Sequence, residues 1–197
     1  MKDFQSILPH DGDVRFYPVF FSANESDRYK QELQHTIDWK QRPIKIYGKE
    51  VLQPRLTAWY GDAGKLYSYS GITMAPLPWT DTLLQIKQRI ETVAPVTFNS
   101  ALLNLYRDQN DSMGWHRDNE RELGIDPVIA SVSFGAARTF QFRNYKEKTE
   151  KYDLELTHGS LLLMQGKTQH VWEHGLPRRS RAVAARINIT FRVIKDI

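Results

Sequence analysis

The stretch PVIASVSFGAARTFQFRN, residues 127–144, decides the fold class. Two runs rich in Val, Ile, Phe and Thr flank a short turn at Gly135, a pattern that predicts two short β-strands. Similar runs, separated by Gly, Pro, Asn or charged residues, continue on both sides of this stretch. They are VTFNSALLNLY, GSLLLM, HVWEH and AVAARINITFRVI. The sequence therefore predicts a succession of strands over about residues 97–194.

Two helices are predicted before these strands. Residues 24–39 follow a capping box formed by Ser22 and Glu25, and their apolar side chains recur at helical spacing. A second helix is predicted to start near Thr80 and to stop before Pro95. Helices followed by strands favour one α+β domain over residues 1–197, with N-terminal helices and a C-terminal half that forms a sandwich or jelly-roll barrel.

The composition excludes several classes of protein. With 197 residues, of which 41% are hydrophobic, the chain can bury a core, and no apolar run is long enough to span a membrane. The absence of cysteine excludes disulfides, thiolate zinc sites and cysteine nucleophiles. The first residues, MKDFQSILPHDGDV, show no apolar run and no small-residue cleavage site, so we do not expect secretion. We therefore expect a cytoplasmic, monomeric protein that does not enter a membrane.

Basic residues are unevenly distributed. A net charge of +4 does not by itself indicate a nucleic-acid partner, but residues 175–192 contain five arginines and no acid. Such a segment is suited to phosphate contacts, although a solvated loop is the commoner explanation for its Arg178–Arg181 part. Residues 41–80 interleave aromatic with basic side chains, for which core packing is as good an explanation as base stacking when each is taken singly.

The heptapeptide GWHRDNE, residues 114–120, suggests half of a metal site. In an extended segment His116 and Asp118 point to the same side, so an imidazole and a carboxylate can reach one ion. A third ligand must come from His158, His170 or His174. A turn at His158 favours a capping or surface role, whereas the other two are predicted to share one face of a strand with Trp172. Two histidines and one carboxylate suit non-haem Fe(II), although the H-x-D pair alone is weak evidence.

The segment RINITFR, residues 186–192, strengthens the metal hypothesis. Its polar residues alternate with apolar ones, and a half-exposed edge strand is the ordinary explanation of that pattern. Here, however, the polar face carries Arg186 and Arg192 with Asn188 between them. Guanidinium groups bind carboxylates through two hydrogen bonds, so this face is suited to a dicarboxylic acid beside the metal. Asn104 and Tyr106 add two hydrogen-bonding groups on another strand.

Taken together, these segments resemble the AlkB family of Fe(II)- and 2-oxoglutarate-dependent dioxygenases, and are most similar to its DNA-repair branch. The resemblance runs from about residue 54 to residue 192, with the motifs in the family's order. The segments that carry it are PRLTAWYGDAG, NLYRDQNDSMGWHRDNERELG, PVIASVSFGAARTFQFRN, HGSLLLMQG with WEHGLP, and RINITFR. An R-x-N-x-T-F-R motif after H-x-D and a distal histidine is highly specific.

The resemblance implies a double-stranded β-helix (jelly-roll) core and assigns roles to individual residues. It implies His116, Asp118 and His174 as iron ligands, with His170 as a neighbour that lines or supports the pocket. It also implies a 2-oxoglutarate site. Arg186, Asn188 and Tyr106 would hold the distal carboxylate, and Arg192 and Asn104 would lie near the end that chelates iron.

The resemblance also implies a substrate side. Residues of about 41–80 would form a nucleotide-recognition lid, in which Tyr69 stacks on a flipped base and Tyr67 lies nearby. Tyr47 would push into a duplex, and Glu120 would read the base, with a structural salt bridge as its alternative. The candidates for phosphate contacts are Arg178, Arg179 and Arg181.

The implied activity is oxidative demethylation of 1-methyladenine and 3-methylcytosine in DNA. It would consume Fe(II)-activated O2 and 2-oxoglutarate, release formaldehyde, succinate and CO2, and be supported by ascorbate. RNA demethylation and protein hydroxylation are alternatives within the superfamily. A nucleic-acid-binding barrel without catalysis would explain the basic and aromatic residues, but has no need for three metal ligands and two arginines.

Overall fold

The computed structural model describes residues 3–46, 49–65, 67–69 and 72–196, with no side-chain description for 45–46, 67–69 and 72–74. Helix α1, Ala23–Thr36, begins at the predicted capping box: the Ser22 hydroxyl accepts from the Glu25 N–H at 3.3 Å, and the Glu25 carboxylate accepts from the Ser22 N–H at 2.9 Å. The helix buries Tyr29 and Leu33 and ends three residues earlier than predicted. The cap therefore fixed its start better than the apolar pattern fixed its end.

Helix α2, Asp81–Glu91, confirms the second prediction. The Thr80 hydroxyl caps it by accepting from the Leu83 N–H at 3.3 Å. A third helix, α3, is a single turn over Thr168–Val171, and a 3₁₀ helix covers Arg121–Leu123. Among the described residues, no helix is both long and apolar enough to cross a lipid bilayer.

A seven-stranded antiparallel sheet forms the centre of the molecule. Its strand order is β1-β2-β13-β10-β15-β8-β5. In chain order the strands are β1 Gln5–Ser6, β2 Asp13–Tyr17, β5 Leu56–Gly61, β8 Ser100–Tyr106, β10 Ile129–Gly135, β13 Ser160–Gln165 and β15 Arg186–Arg192. Helices α1 and α2 share a hydrophobic core with this sheet. That core includes Leu33, Ile86 and Phe134.

A four-stranded antiparallel sheet forms the second layer, in the order β12-β11-β14-β9. Its strands are β9 Met113–His116, β11 Arg138–Asn144, β12 Lys151–Leu156 and β14 Trp172–Leu176. A second hydrophobic cluster joins the two sheets, with Leu162 of the larger sheet and Phe142 and Trp172 of the smaller one fully buried. Two packed antiparallel sheets with helices on one side confirm the predicted jelly-roll fold.

Two small hairpins lie within residues 41–80. One pairs β3, Pro43–Ile46, with β4, Lys49–Leu52, and the other pairs β6, Tyr67–Tyr69, with β7, Ile72–Met74. Tyr47 lies outside the described residues, and for Tyr67 and Tyr69 only the backbone is described. The stacking and duplex-insertion roles of these three tyrosines therefore stay predictions.

The strand assignment differs from expectation at His170, and it decides between the two explanations of RINITFR. His170 does not belong to a strand, because Lys167 to Val171 form a helical turn and β14 begins only at Trp172. The segment RINITFR is not an edge strand: β15 lies between β10 and β8, and all seven of its residues are buried. Its polar face is buried because it lines a cleft.

Candidate active site

The cleft opens between the two sheets. Its lining combines polar side chains of the seven-stranded sheet with histidines and apolar side chains of the four-stranded sheet. The lining residues are Leu102, Asn104, Tyr106, Met113, His116, Asp118, Ser131, Phe140, Met164, His174, Leu176, Arg186, Asn188, Thr190 and Arg192.

Three of these residues form a cluster suited to a metal ion. One ligand atom each of His116, Asp118 and His174 lies within 4.8 Å of the others. The two histidines are direct partners in the β9–β14 ladder, and their ring centroids are 4.3 Å apart. Sheet pairing thus brings together residues that are distant in the sequence, and the cluster contains all three predicted ligands.

Burial tunes the protonation of the cluster. Loss of solvation, together with the nearby His116, lowers the pKa of His174 to about 3. Burial also lowers the pKa of His116. For Asp118, burial acts to raise the pKa, but Arg192 and the two histidines outweigh it and bring the value to about 2. At neutral pH the cluster therefore offers two neutral imidazoles and one carboxylate.

Hydrogen bonds prepare His116 for a ligand role. Its Nδ1 donates to the Gly114 carbonyl at 2.9 Å, which leaves the Nε2 lone pair free for a metal. The Nδ1 atom of His174 is buried without a hydrogen-bond partner among the described residues. Two imidazoles and one carboxylate are the donor set of non-haem Fe(II) oxygenases, so these residues fit a ferrous ion.

Arg186 dominates the opposite end of the cleft. It is 1% exposed, and its Nη2 donates to the Ser133 hydroxyl at 2.8 Å. Nε and Nη1 have no hydrogen-bond partner among the described residues, and no acid there forms an ion pair with this side chain. Burial lowers the pKa of Arg186 to about 10, so it stays charged at neutral pH. A buried cation with spare donors fits a carboxylate ligand.

Amide and hydroxyl groups complete this wall. Asn188 donates to the Ser131 hydroxyl at 2.7 Å and accepts from Thr190 at 3.1 Å. The side-chain oxygen of Asn104 accepts from the Arg55 Nε at 2.8 Å, which leaves its amide N–H groups available to the cleft. The ring of Tyr106 lies with its centroid 5.3 Å from the Arg186 guanidinium carbon.

Arg192 lies at the metal end of the same strand. Its Nη2 donates to both carboxylate oxygens of Asp118, at 2.9 Å each. Arg186 and Arg192 thus face different ends of one cleft, and among the described residues only Arg192 of the two pairs with an acid. The division between a distal and a chelating end of 2-oxoglutarate stays a prediction.

His170 and His158 lie outside the cleft lining. His170 is half exposed and contacts Asp126 at 2.8 Å, so the expectation that it lines or supports the pocket is wrong; the helical turn directs it to the surface. His158 accepts from the Gly135 N–H at 2.9 Å, consistent with the predicted structural role.

The predicted substrate-side residues are more peripheral. Glu120 is partly buried directly before the 3₁₀ helix and does not line the cleft. The side chains of Arg178, Arg179 and Arg181 are exposed, and Arg179 donates to the Ala137 carbonyl at 3.3 Å.

Sequence reasoning missed four buried residues that support the site: Arg55, Ser131, Ser133 and Gln169. Each forms a hydrogen bond with a predicted site residue. The bonds of Arg55, Ser131 and Ser133 are given above. The Gln169 side-chain oxygen accepts from the Asp118 N–H at 2.9 Å. Alternating serines in the buried run VIASVSF were a visible signal, since small polar side chains on one face of an apolar strand need partners. Arg55 and Gln169 carried no such signal.

Similarity to curated proteins covers most of the chain. It is 44% identical over 190 residues to the mouse (Mus musculus) protein "Alpha-ketoglutarate-dependent dioxygenase alkB homolog 3", covering 92% of this chain and 66% of that protein. It is 41% identical over 188 residues to the human (Homo sapiens) "DNA oxidative demethylase ALKBH2", covering 90% of this chain and 72% of that protein. The chain spans slightly less than two thirds of the length of the mouse relative.

A solved structure supports the fold. The structure of OsALKBH1 matches with a TM-score of 0.68 at 16% identity, over 97% of this chain and 100% of that one. Residues 13–192 match the family profile described as the 2OG-Fe(II) oxygenase superfamily. The chain therefore belongs to the 2OG-Fe(II) oxygenase superfamily, which uses Fe(II), 2-oxoglutarate and O2.

Proposed function

We propose that this protein oxidatively removes methyl groups from N-alkylated bases of DNA, with 1-methyladenine and 3-methylcytosine as substrates. The observation that carries the proposal is the cluster of His116, Asp118 and His174 in one cleft with Arg186, a buried cation that has spare donors. Similarity to proteins named as a DNA oxidative demethylase and an alkB homologue supports the choice of substrate.

In this proposal His116, Asp118 and His174 hold the ferrous ion. When bound, Fe(II) and 2-oxoglutarate would activate O2, which would supply the oxidising equivalents that convert the N-methyl group into formaldehyde and 2-oxoglutarate into succinate and CO2. The chain itself orients the reactants. Arg186 binds the distal carboxylate with Asn188 and Tyr106, while Asn104 and Arg192 flank the chelating end.

Electrostatics of the chain keep the ligand set ready. Because burial holds the two histidines neutral, protons do not compete with the metal at neutral pH. Because Arg192 binds both oxygens of Asp118, the carboxylate is charged and restrained in its orientation. The residues of β15 that line the cleft are all buried, which limits the access of water to the reacting methyl group.

A base must leave the duplex before its Watson–Crick edge can reach the cleft. Extrusion costs a few kcal/mol, and less for a lesion that has lost its pairing, while stacking on one aromatic ring returns about 1–3 kcal/mol. We propose Tyr69 for that stacking, with Tyr67 and Glu120 near the base and Tyr47 as the residue that enters the duplex. Arg178, Arg179 and Arg181 are proposed to contact phosphates.

The test is turnover with matched oligonucleotides. Purified protein with Fe(II), ascorbate, 2-oxoglutarate and O2 is expected to form succinate and to remove the methyl group from 1-methyladenine in DNA, followed by mass spectrometry. An unmethylated oligonucleotide is the control. Turnover confined to RNA or to a peptide would reassign the substrate, and succinate formation without any demethylation would reject the proposed reaction.

A further inference from the structure

The β9–β14 ladder positions two of the three proposed metal ligands. His116 is the last residue of β9 and pairs directly with His174 of β14. Main-chain hydrogen bonds of a ladder fix the relative placement of paired residues, so the two imidazoles need no further support to converge.

Asp118 lies two residues beyond the end of β9, where no ladder supports it. It is nevertheless 1% exposed, and a buried main-chain N–H requires a partner. That partner is the side-chain oxygen of Gln169, at 2.9 Å. A side-chain hydrogen bond thus takes the place of the missing ladder bond.

Gln169 is itself held rigidly. It is 1% exposed within α3, and its amide nitrogen donates to the Met164 sulfur at 3.7 Å, which leaves the oxygen directed at Asp118. The segment that carries Gln169 continues directly into β14 and His174. A second contact joins the same elements, since Arg117 donates to the His170 carbonyl at 3.3 Å.

We infer that Gln169 is the positioning residue that sets the third metal ligand, by fixing the main chain of Asp118 relative to the two histidines. Arg192 restrains the carboxylate, and Gln169 restrains the backbone from which that carboxylate projects. The inference rests on the metal centre of the proposed function, but not on the substrate. Outer contacts that orient metal ligands contribute about 10–100-fold to metal affinity.

The test is titration of the full-length, metal-free protein with Co(II), followed by its visible absorption without any turnover. Gln169→Met keeps the length of the side chain but removes the acceptor, and is expected to raise the Kd for Co(II) by about 10–100-fold. Gln169→Glu keeps an oxygen acceptor and is expected to bind within about threefold of the wild type. Gln169→Asn, whose oxygen falls short of Asp118, is expected to lie between them.

Gln165→Met is the matched control, because the amide of Gln165 bonds to Asp13 at 2.6 Å and touches no proposed ligand. It should bind Co(II) as the wild type does. Wild-type affinity in folded Gln169→Met, or in Gln169→Asn should the Met variant not fold, overturns the inference, as does equal weakening in Gln169→Glu. A wild-type chain that does not bind Co(II) overturns the metal centre as well, whereas Co(II) binding without demethylation rejects only the proposed substrate.

Discussion

The two sheets contribute walls of opposite character to one cleft. The four-stranded sheet supplies His116 and His174, whose pKa burial lowers so that both are neutral. The seven-stranded sheet supplies Arg186, which stays charged although it is buried and pairs with no acid among the described residues. Burial therefore prepares one wall for a cation and the other for an anion, and a chelating dicarboxylate would bridge the two.

The wall of the four-stranded sheet, which carries the two histidines, is tested most severely by removing His174 on β14. His174→Ala is expected to reduce demethylation more than about 100-fold, beyond the usual loss for an outer contact. His170→Ala is the matched control, because this half-exposed histidine pairs with Asp126 outside the cleft. Initial rates of succinate formation measure both. Full activity in His174→Ala, or a similar loss in both variants, would contradict the assignment of the third ligand.

The wall of the seven-stranded sheet is tested by Arg186→Met, which keeps much of the side-chain volume but removes its charge. Since a hydrogen bond to a charged group contributes about 1.5–3 kcal/mol, the KM for 2-oxoglutarate is expected to rise about 10- to 100-fold. Iron binding should be almost unchanged, because Arg192 and not Arg186 contacts Asp118. Arg28→Met on α1, whose arginine forms a helical ion pair with Glu32, serves as control. An unaltered KM in Arg186→Met would remove this residue from the co-substrate site.

The buried histidines of the four-stranded sheet should also make the free energy of unfolding depend on pH. The unfolded chain binds a proton on His174 near pH 6.5, whereas the folded protein resists that proton until about pH 3. The free energy of unfolding of the metal-free protein should therefore fall as the pH drops through this window. His174 alone contributes about 1.4 kcal/mol per pH unit, and the lowered pKa of His116 adds to the loss in the same direction. Urea unfolding at pH 7.5, 6.0 and 5.0 measures the slope. His174→Gln should flatten it, and identical slopes would refute a buried neutral histidine.

The smallest effect is expected for Arg179, which lies outside both walls of the cleft. Arg179→Ala should reduce the slope of log affinity against log salt by about 0.9, or about 0.7 on single strands, if the side chain neutralises one phosphate. Fluorescence anisotropy with a labelled oligonucleotide at several salt concentrations measures it. Arg28→Ala on α1, whose arginine forms a helical ion pair with Glu32, is the control. An unchanged slope would exclude Arg179 from the interface.

Local signals in the sequence predicted the local structure well. The Ser22 and Thr80 caps mark the starts of α1 and α2, and the Val/Ile-rich runs correspond to strands. They failed where tertiary contacts decide. β12, KYDLEL, was not predicted because only alternate residues are shielded and its charges face solvent. His170 and Val171 were expected to be part of a strand but belong to a helical turn, in which Gln169 is buried against Met164.

The site followed the same division. Motif spacing was sufficient to find the three cluster residues and the polar face of β15. It could not find Arg55 or Gln169, because each acts through one hydrogen bond to a site residue 49 or 51 positions away in the chain. Such pairings depend on how distant segments are placed next to each other in the fold, which local patterns in a single sequence do not show.

The position of β9 has a consequence for the stability of the sheet. This four-residue strand lies at an edge of the sheet, with β14 as its single ladder partner among the described residues. The β9–β14 ladder is irregular between His174 and Leu176. Edge strands open readily, so the amides of β9 should exchange with solvent faster than those of the neighbouring strands. An ion held jointly by His116 and His174 would cross-link β9 to β14. Metal binding would therefore also slow the local opening of this edge strand.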